Sequence, residues 1–159
     1  MILFLAYDGV LRTPADRAGE LNGQLIANFT LLLRRFGRSR VVLSTSWRLA
    51  RPYPELLAWF HRDLHPRFAG RLPEIKAPPA APRQAEIALW LKRNGGADQP
   101  WVAIDTDAAR FESPCPALFL CEPSRGLDAG ALTALEQRIV AIAAARIARR
   151  AAGGAGSGA

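Results

Sequence analysis

The sequence predicts a three-layer α/β fold, in which one parallel β-sheet lies between two layers of helices. Short apolar runs alternate along the chain with longer amphipathic stretches, which is the order that strands and crossover helices give. The apolar runs are nearly continuous, as expected of parallel strands covered on both faces. At 159 residues, the chain has the length of one such domain.

Four apolar runs are predicted to be the strands. They are residues 2–6, 41–43, 101–104 and 117–120. Turn-forming or polar residues follow the first three runs, which limits each strand to a few residues. In parallel α/β sheets, ligands bind beyond the carboxyl ends of the strands, where the strand order reverses. We therefore expect a functional site at those ends.

Three amphipathic stretches are predicted to be the covering helices. Apolar residues from Leu21 to Phe36 fall on one helical face, and a glycine follows them. A second helix is predicted from about Pro82 to Arg93, and Asp128 is expected to cap a third.

The remaining segments are predicted to be irregular or weakly helical. A weak helix follows the second strand, residues 66–82 are rich in proline, and segment 50–82 is a candidate for a small lid. The short distance between the first two strands leaves no room for a large cap domain. Residues 151–159 are rich in Gly, Ala and Ser, which predicts a disordered tail after a single domain over residues 1–150.

Composition and charge narrow the setting and the partners. No apolar run reaches the ~20 residues of a membrane helix, and no basic region precedes the short N-terminal apolar run, so we expect a cytoplasmic protein. Cys115 and Cys121 are too few for a disulfide framework. The net charge of +7 comes almost entirely from arginine, which suits an anionic partner such as a nucleotide or nucleic-acid end. A genomic bias toward arginine is the alternative.

Polar residues at three strand ends carry the candidate chemistry. Asp8 follows the first strand, Ser44 follows the second, and Asp105 and Asp107 follow the third. Carboxylates hold hard cations such as Mg²⁺, which neutralise phosphate charge, and hydroxyl groups can hold the remaining phosphate oxygens. The pattern predicts a magnesium-assisted phosphoryl site.

These residues also carry a family resemblance. Residues 3–11, LFLAYDGVL, resemble the first motif of haloacid-dehalogenase-like (HAD) phosphatases, apart from Ala6. Residues 41–44, VVLS, resemble the second motif, and residues 102–107, VAIDTD, resemble the acidic fourth motif. Arg83 resembles the basic residue of the third motif. The resemblance implies a Rossmann-like HAD core.

The sequence is most similar to the HAD domains associated with RNA-repair proteins. Those domains have a similar STSWR stretch, here residues 44–48, and a similar Gly-Leu pair before the last helix, here Gly126-Leu127. Thr106 stands where such domains often have a further aspartate. The resemblance implies a phosphorylated substrate, with a nucleotide or nucleic-acid end among the candidates.

The resemblance implies catalytic and metal-binding roles for four polar residues. Asp8 resembles the general acid and base, and its carbonyl group would also contact Mg²⁺. Asp105 resembles the main metal ligand, with Asp107 in support. Ser44 would donate a hydrogen bond to the phosphoryl group.

The resemblance also implies residues that bind the substrate. Arg83 would offset the phosphoryl charge, and Lys76 competes with it for that role. Thr45 and Arg48 are further substrate-binding candidates. Simpler interpretations compete for several residues: Thr45 as a helix cap, Asp107 as a cap of the segment after its strand, Arg48 as a member of a surface ion pair, and Trp47 as a packing residue rather than a platform for a base.

Ala6 stands where the resemblance places the nucleophilic aspartate. A methyl group can neither attack phosphorus nor bind a cation, and loss of a nucleophile can slow an enzyme roughly a millionfold. The sequence therefore predicts a phosphohydrolase that is catalytically dead at Ala6, as in a substrate-trapping substitution. The alternatives are a natural pseudoenzyme that binds a phosphoester, nucleic acid or protein partner without turnover, and a basic nucleic-acid-binding module.

Overall fold

Five parallel strands form the centre of the molecule. The computed structural model describes residues 1–96 and 98–154. The strands are β1 (Ile2–Leu5), β2 (Arg40–Leu43), β3 (Phe68–Arg71), β4 (Trp101–Asp105) and β5 (Leu118–Leu120). They lie in the order β3-β2-β1-β4-β5, and all neighbouring pairs are parallel. The chain builds outward from β1 to one side and then crosses to β4, so the strand order reverses between β1 and β4.

Helices cover both faces of this sheet. They are α1 (Gly23–Arg35), α2 (Tyr53–Leu57), α3 (Pro82–Arg93) and α4 (Ala129–Gly154), and short 3₁₀ turns lie at Ser46–Leu49, Arg62–Arg67 and Ala108–Arg110. Side-chain caps are local causes of two of these boundaries: the Asp128 cap is predicted from the sequence, and the Asn22 cap is not. Asn22 accepts hydrogen bonds from the first-turn amides of α1, and the Asp128 carboxylate accepts one from the Ala131 amide in α4.

Two hydrophobic cores flank the sheet because successive residues of a strand point to opposite faces. Leu3 and Leu5 pack with buried residues of α1, α2 and α4 on one face. Ile2 and Phe4 pack with buried residues of α3 on the other face. The predicted three-layer α/β architecture with a parallel sheet is therefore confirmed.

The sequence does not predict the edge strand β3, which the structure contains. Residues 66–82 are irregular in that prediction, but Phe68–Arg71 pairs with β2 as a strand. The pairing has an irregular register between Val41 and Leu43, and Gly70 has a φ of 124°. A four-residue strand with an internal glycine carries too little apolar pattern to be recognised from sequence.

Much of the candidate lid segment 50–82 is packed into the fold. Leu56, Phe60, Leu64 and Phe68 are buried in the same core as Leu3 and Leu5. The segment instead completes one face and the edge of the sheet, and the described residues show no cap domain.

The C-terminal helix is longer than the sequence predicts. The predicted tail begins at residue 151, but α4 continues to Gly154, so that part of the prediction is wrong. The remainder of the predicted tail, residues 155–159, lies outside the described residues. None of the described helices is both long enough and apolar enough to cross a membrane.

Candidate functional site

The ends of β2, β1 and β4 place Ser44, Ala6 and Asp105 side by side. Leu5 is the last paired residue of β1, and it lies beside Leu43 on one side and Ile104 on the other. The Ala6 amide then donates to the Ile104 carbonyl at 3.1 Å, and the Ser44 amide donates to the Leu5 carbonyl at 2.9 Å. We call Ser44, Ala6 and Asp105 the strand-end row. It lies at the predicted position, where the strand order reverses.

Ala6 occupies the centre of the strand-end row, and it is 7% exposed. The adjacent Tyr7 does not replace the missing nucleophile. Its hydroxyl is buried and donates to the Leu56 carbonyl at 2.8 Å. Burial also raises the pKa of Tyr7 far above its ordinary value, which keeps the phenol protonated.

Asp8 lies just beyond the row, with an exposed side chain that is held by two donors. Arg12 donates to Oδ1 at 2.9 Å, and the Trp47 indole N–H donates to Oδ2 at 3.0 Å. The turn that carries Asp8 continues through Gly9, whose φ is 69° and whose Cα faces Thr106 too closely for a Cβ. The carboxylate is thereby fixed at the mouth of the site.

Trp47 is a packing residue, as its simpler interpretation predicts. Its ring lies edge-on to Tyr7, with the centroids 5.5 Å apart. The Arg51 guanidinium covers the ring at 4.3 Å from the centroid. Because Trp47 also donates to Asp8, it positions that carboxylate. Sequence reasoning missed Arg12 and Trp47 as Asp8 partners; the i,i+4 spacing of Asp8 and Arg12 was the available signal.

Arg83 reaches the row from the first turn of α3. Its side chain is 4% exposed, and its Nε lies 3.7 Å from Asp105 Oδ2. That Nε is buried and has no hydrogen-bond partner among the described residues. Burial lowers the pKa of Arg83, and the nearby Glu86 carboxylate opposes that shift. Lys76 is exposed after β3, so the geometry favours Arg83 as the basic residue of the site.

Asp105 is fixed from two directions. Its Oδ1 accepts hydrogen bonds from the Thr106 amide at 2.7 Å and from the Asp107 amide at 3.3 Å. Its Oδ2 faces the buried Arg83 guanidinium. Asp105 is 6% exposed and is balanced by a neighbouring cation, so it is a charged group with its partner already in place.

Arg48 is predicted from the sequence to bind substrate, but its guanidinium faces the protein interior. Its five N–H groups donate to the Glu86 carboxylate and to four backbone carbonyl groups. Those carbonyl groups belong to Ser44, Thr45, Leu72 and Pro73. Arg48 therefore holds the loop after β2 against the segment after β3 and has no N–H left for a ligand. Its alternative interpretation as a member of an ion pair fits the structure better, but the pair with Glu86 is buried and not at the surface as predicted.

Glu86 joins the two buried arginines, and sequence reasoning missed it too. One of its oxygens accepts from Arg48 at 2.7 Å, and the other accepts from Arg83. Glu86 lies one helical turn after Arg83, and this spacing was the local signal. Its contact with Arg48, across 38 residues of sequence, could not be read from the chain.

Thr45 and Asp107 act as caps. The Thr45 hydroxyl accepts from the Trp47 amide at 3.3 Å, and the Asp107 carboxylate accepts from the Ala109 amide at 3.0 Å. Asp107 is exposed and lies 3.7 Å from Arg110. Both residues shape the loops around the row, and in this geometry their side chains are directed at those loops.

The residues that the sequence assigns to Mg²⁺ do not fit a tightly held cation. Within residues 1–96 and 98–154, no three His, Cys, Asp or Glu side chains converge as a metal site. Asp8 would contribute only its backbone carbonyl, because its carboxylate is bound by Arg12 and Trp47. Asp105 Oδ2 faces Arg83, Asp107 caps a turn, and Ala6 supplies no oxygen. The carboxylates of Asp8, Asp105 and Asp107 therefore do not converge as a three-carboxylate site among the described residues.

Comparison with protein families identifies the family to which the fold belongs. A family model described as "HAD domain in Swiss Army Knife RNA repair proteins" matches residues 2–132. The chain belongs to this family. The match includes all five strands of the HAD domain and the whole strand-end row. Comparisons with curated proteins and with solved structures find no match. Membership in the HAD family supports a hydrolase-like domain of phosphohydrolase type.

Proposed function

We propose that this HAD domain binds a phosphomonoester at the strand-end row and does not hydrolyse it. The observation that carries the proposal is Ala6, which lies between Ser44 and Asp105 at the reversal point of the sheet. The surrounding polar residues are present and held in place, while the position of the nucleophile holds a methyl group.

Arg83 supports the binding half of the proposal. The buried Nε of Arg83 has no hydrogen-bond partner among the described residues and lies 3.7 Å from Asp105 Oδ2, so the guanidinium beside the row is not fully engaged by the protein. A phosphoryl group offers negatively charged oxygens that match a guanidinium. Ser44, which is buried beside Ala6, offers a hydroxyl donor at the same level.

The absence of a nucleophile supports the second half. Covalent phosphoryl transfer requires an oxygen that attacks phosphorus while the ester oxygen leaves with a proton. Asp8 stands at the position of the general acid in the family resemblance, but the Ala6 methyl has no lone pair to attack with. Tyr7 is protonated and engaged elsewhere. The residues present can hold and orient a phosphoester, but they cannot open it by this route.

Binding at this row is proposed to be independent of Mg²⁺. A cation beside Asp105 would also lie close to the Arg83 guanidinium, so the two positive charges would compete for one carboxylate. The phosphoryl charge is offset by Arg83 in this account. The proposed site therefore differs from the magnesium-assisted site that the sequence predicts, because it needs no cation to offset the phosphoryl charge.

The substrate class that we propose is the terminal phosphate of a nucleic acid. The family description names RNA repair, and the net charge of +7 suits a polyanionic ligand. The described residues form no cap over the row, so a bulky phosphoester can approach it.

Substitution of Ala6 by aspartate tests whether the nucleophile is the missing part. We expect Ala6→Asp to release phosphate from a 5′-phosphorylated oligonucleotide in the presence of Mg²⁺, because the new carboxylate supplies both a nucleophile and a metal ligand. The matched control, Ala6→Asn, has the same shape without the charge and is expected to release none. If Ala6→Asp bound the oligonucleotide without releasing phosphate, the claim that only the nucleophile is lacking would be wrong.

A further inference from the structure

The sheet has a second edge, opposite the strand-end row. There β1, β2 and β4 begin at Ile2, Arg40 and Trp101, and we call it the amino edge. Helices that connect parallel strands return toward this edge, so the ends of α1 and α3 lie there. The exposed basic residues of this region are Arg38, Arg40, Lys92, Arg93 and Arg149, with the half-buried Arg146.

Charges are distributed unequally between the two edges. Near the strand-end row, several arginines are paired with acids, as in Arg12–Asp8, Arg17–Glu20 and Arg125–Asp128, whereas Arg51, Arg71 and Lys76 form no ion pair with a described residue. The six basic residues of the amino edge form no ion pair with any other described residue. The amino edge therefore carries a cluster of cations that no described acid neutralises.

Helix capping does not explain all of this charge. Lys92 and Arg93 lie in the last turn of α3, where cations offset the helix dipole. Arg146 and Arg149, in contrast, lie before the end of α4, which continues to Gly154, and Arg38 and Arg40 lie outside any helix. The helix dipole therefore does not account for the positions of these four arginines.

A groove at the amino edge brings two of these arginines beside an indole ring. It has a volume of about 610 Å³ and is lined in part by Trp101, Pro116, Ile142, Arg146 and Arg149. Trp101 is partly exposed, and the size is within the range of ligand pockets. Asp98 is the acidic residue among the described lining residues, so the groove is positively charged overall.

We infer that the amino edge binds the backbone of single-stranded nucleic acid, with one nucleotide in the Trp101 groove. Arginine forks match phosphate oxygens, and an aromatic ring offers a stacking surface that accepts any base. This surface is separate from the strand-end row and does not require a terminal phosphate. Together the two sites would hold one nucleic-acid strand: the strand-end row would bind its phosphorylated end, and the amino edge would bind its backbone away from that end.

A nucleic acid fits this surface better than a membrane does. The groove is concave and combines an indole with arginines, whereas a membrane surface meets a convex face on which apolar side chains can insert. Among the basic residues of the edge, arginine predominates over lysine, which suits phosphodiester recognition by paired hydrogen bonds.

The test measures binding of a labelled oligouridylate with hydroxyl groups at both ends, by fluorescence anisotropy over a range of salt concentrations. The probe has no terminal phosphate, so it does not engage the proposed phosphomonoester site. We expect Arg146→Gln/Arg149→Gln to weaken binding about tenfold or more. The slope of log K against log salt should become shallower by about 1.4, because each of the two arginines accounts for ~0.7 through the phosphate that it neutralises.

The matched control is Arg17→Gln/Arg125→Gln, which removes the same charge from exposed positions near the other edge. It is expected to change binding less than about twofold. Equal weakening by the two double variants would overturn the inference, because net charge alone would then explain binding. Unchanged binding in Arg146→Gln/Arg149→Gln would overturn it as well. So would a loss of binding to phosphatidylserine vesicles in that variant while oligouridylate binding stayed intact, since the surface would then be a membrane site.

Discussion

At the scale of single residues, the site depends on charges that are buried together. Arg48 and Arg83 share the Glu86 carboxylate, and Arg83 also faces Asp105. Burial lowers the pKa of both arginines, and Glu86 opposes the shift in each. Glu86 thus stabilises two cations that would otherwise be buried without compensation, and it keeps Arg83 directed at the strand-end row.

The first prediction concerns Glu86. Glu86→Gln should lower the free energy of unfolding by about 3 kcal/mol, because removing one partner of a buried ion pair leaves uncompensated charge. Urea denaturation measures the change. Glu20→Gln, at a largely exposed ion pair with Arg17, is the matched control and should cost less than about 1 kcal/mol. Equal effects in the two variants would contradict the role assigned to Glu86.

The second prediction concerns pH. Burial raises the pKa of the Cys121 thiol from 9.0 to about 12. The unfolded chain therefore loses this proton before the folded protein does, so the stabilisation is complete below pH 9 and is lost as the pH rises toward 12. Between about pH 8 and pH 10, this thiol should account for roughly 1.4 kcal/mol of lost stability.

Urea denaturation of Cys121→Ala at both pH values isolates this contribution. The variant is expected to be less stable at either pH because its smaller side chain packs less well in the core, but its stability should fall less on going to the higher pH. Cys115→Ala is the comparison: burial also raises the pKa of this partly buried thiol, but less than that of Cys121, so its removal should reduce the alkaline loss by a smaller amount. An identical alkaline loss in Cys121→Ala and the unchanged chain would show that the Cys121 thiol ionises normally in the fold.

At the scale of elements, hydrogen bonds connect the loop after β1 to the segment before α4, and that segment to α1. The Leu127 amide donates to the Val10 carbonyl at 2.8 Å, and Asn28 of α1 donates to the Leu127 carbonyl at 2.9 Å. Gly126 has a φ of 63°, and a Cβ there would lie 2.7 Å from the Val10 oxygen. The Gly-Leu pair that contributes to the family resemblance therefore has a structural reason: only glycine allows this approach.

The third prediction follows from that contact. Gly126→Ala should destabilise the fold by about 2 kcal/mol or more, since it combines a strained φ with a backbone clash. Gly23→Ala is the matched control. Gly23 is the first residue of α1, and a Cβ there meets nothing within 4 Å, so its substitution should be neutral or slightly stabilising. Thermal denaturation measures the melting temperatures of the two variants. Similar melting temperatures would contradict the role assigned to the close contact between Gly126 and Val10.

The elements also differ in how well the sequence predicts them. The sequence predicts three strands well, because β1, β2 and β4 are continuous apolar runs. In parallel sheets the functional site lies beyond the carboxyl ends of the strands where the strand order reverses, so Ala6, Ser44 and Asp105 are predicted to lie together there. β3 escapes prediction because four residues with an internal glycine carry no clear period. Arg48 is assigned to substrate on sequence alone because its partners, Glu86 and the Leu72 and Pro73 carbonyl groups, come from distant parts of the chain.

At the scale of the whole molecule, the sheet separates two kinds of surface. One edge carries the strand-end row, with Ala6 at its centre between Ser44 and Asp105. The amino edge carries basic residues that pair with no acid among the described residues, together with the Trp101 groove. A family member built in this way would serve to hold a phosphorylated strand rather than to process it. This proposed role requires that the domain bind a phosphoryl group without hydrolysing it.

Phosphorus NMR of a 5′-phosphorylated oligouridylate mixed with the unchanged chain tests this central claim most directly. We predict that the terminal phosphate signal shifts or broadens, with or without EDTA, and that no inorganic phosphate signal grows. Arg83→Gln should abolish the perturbation, whereas Lys76→Gln should preserve it. Growth of an inorganic phosphate signal would contradict the absence of turnover, and an unperturbed terminal phosphate signal would contradict binding at the strand-end row.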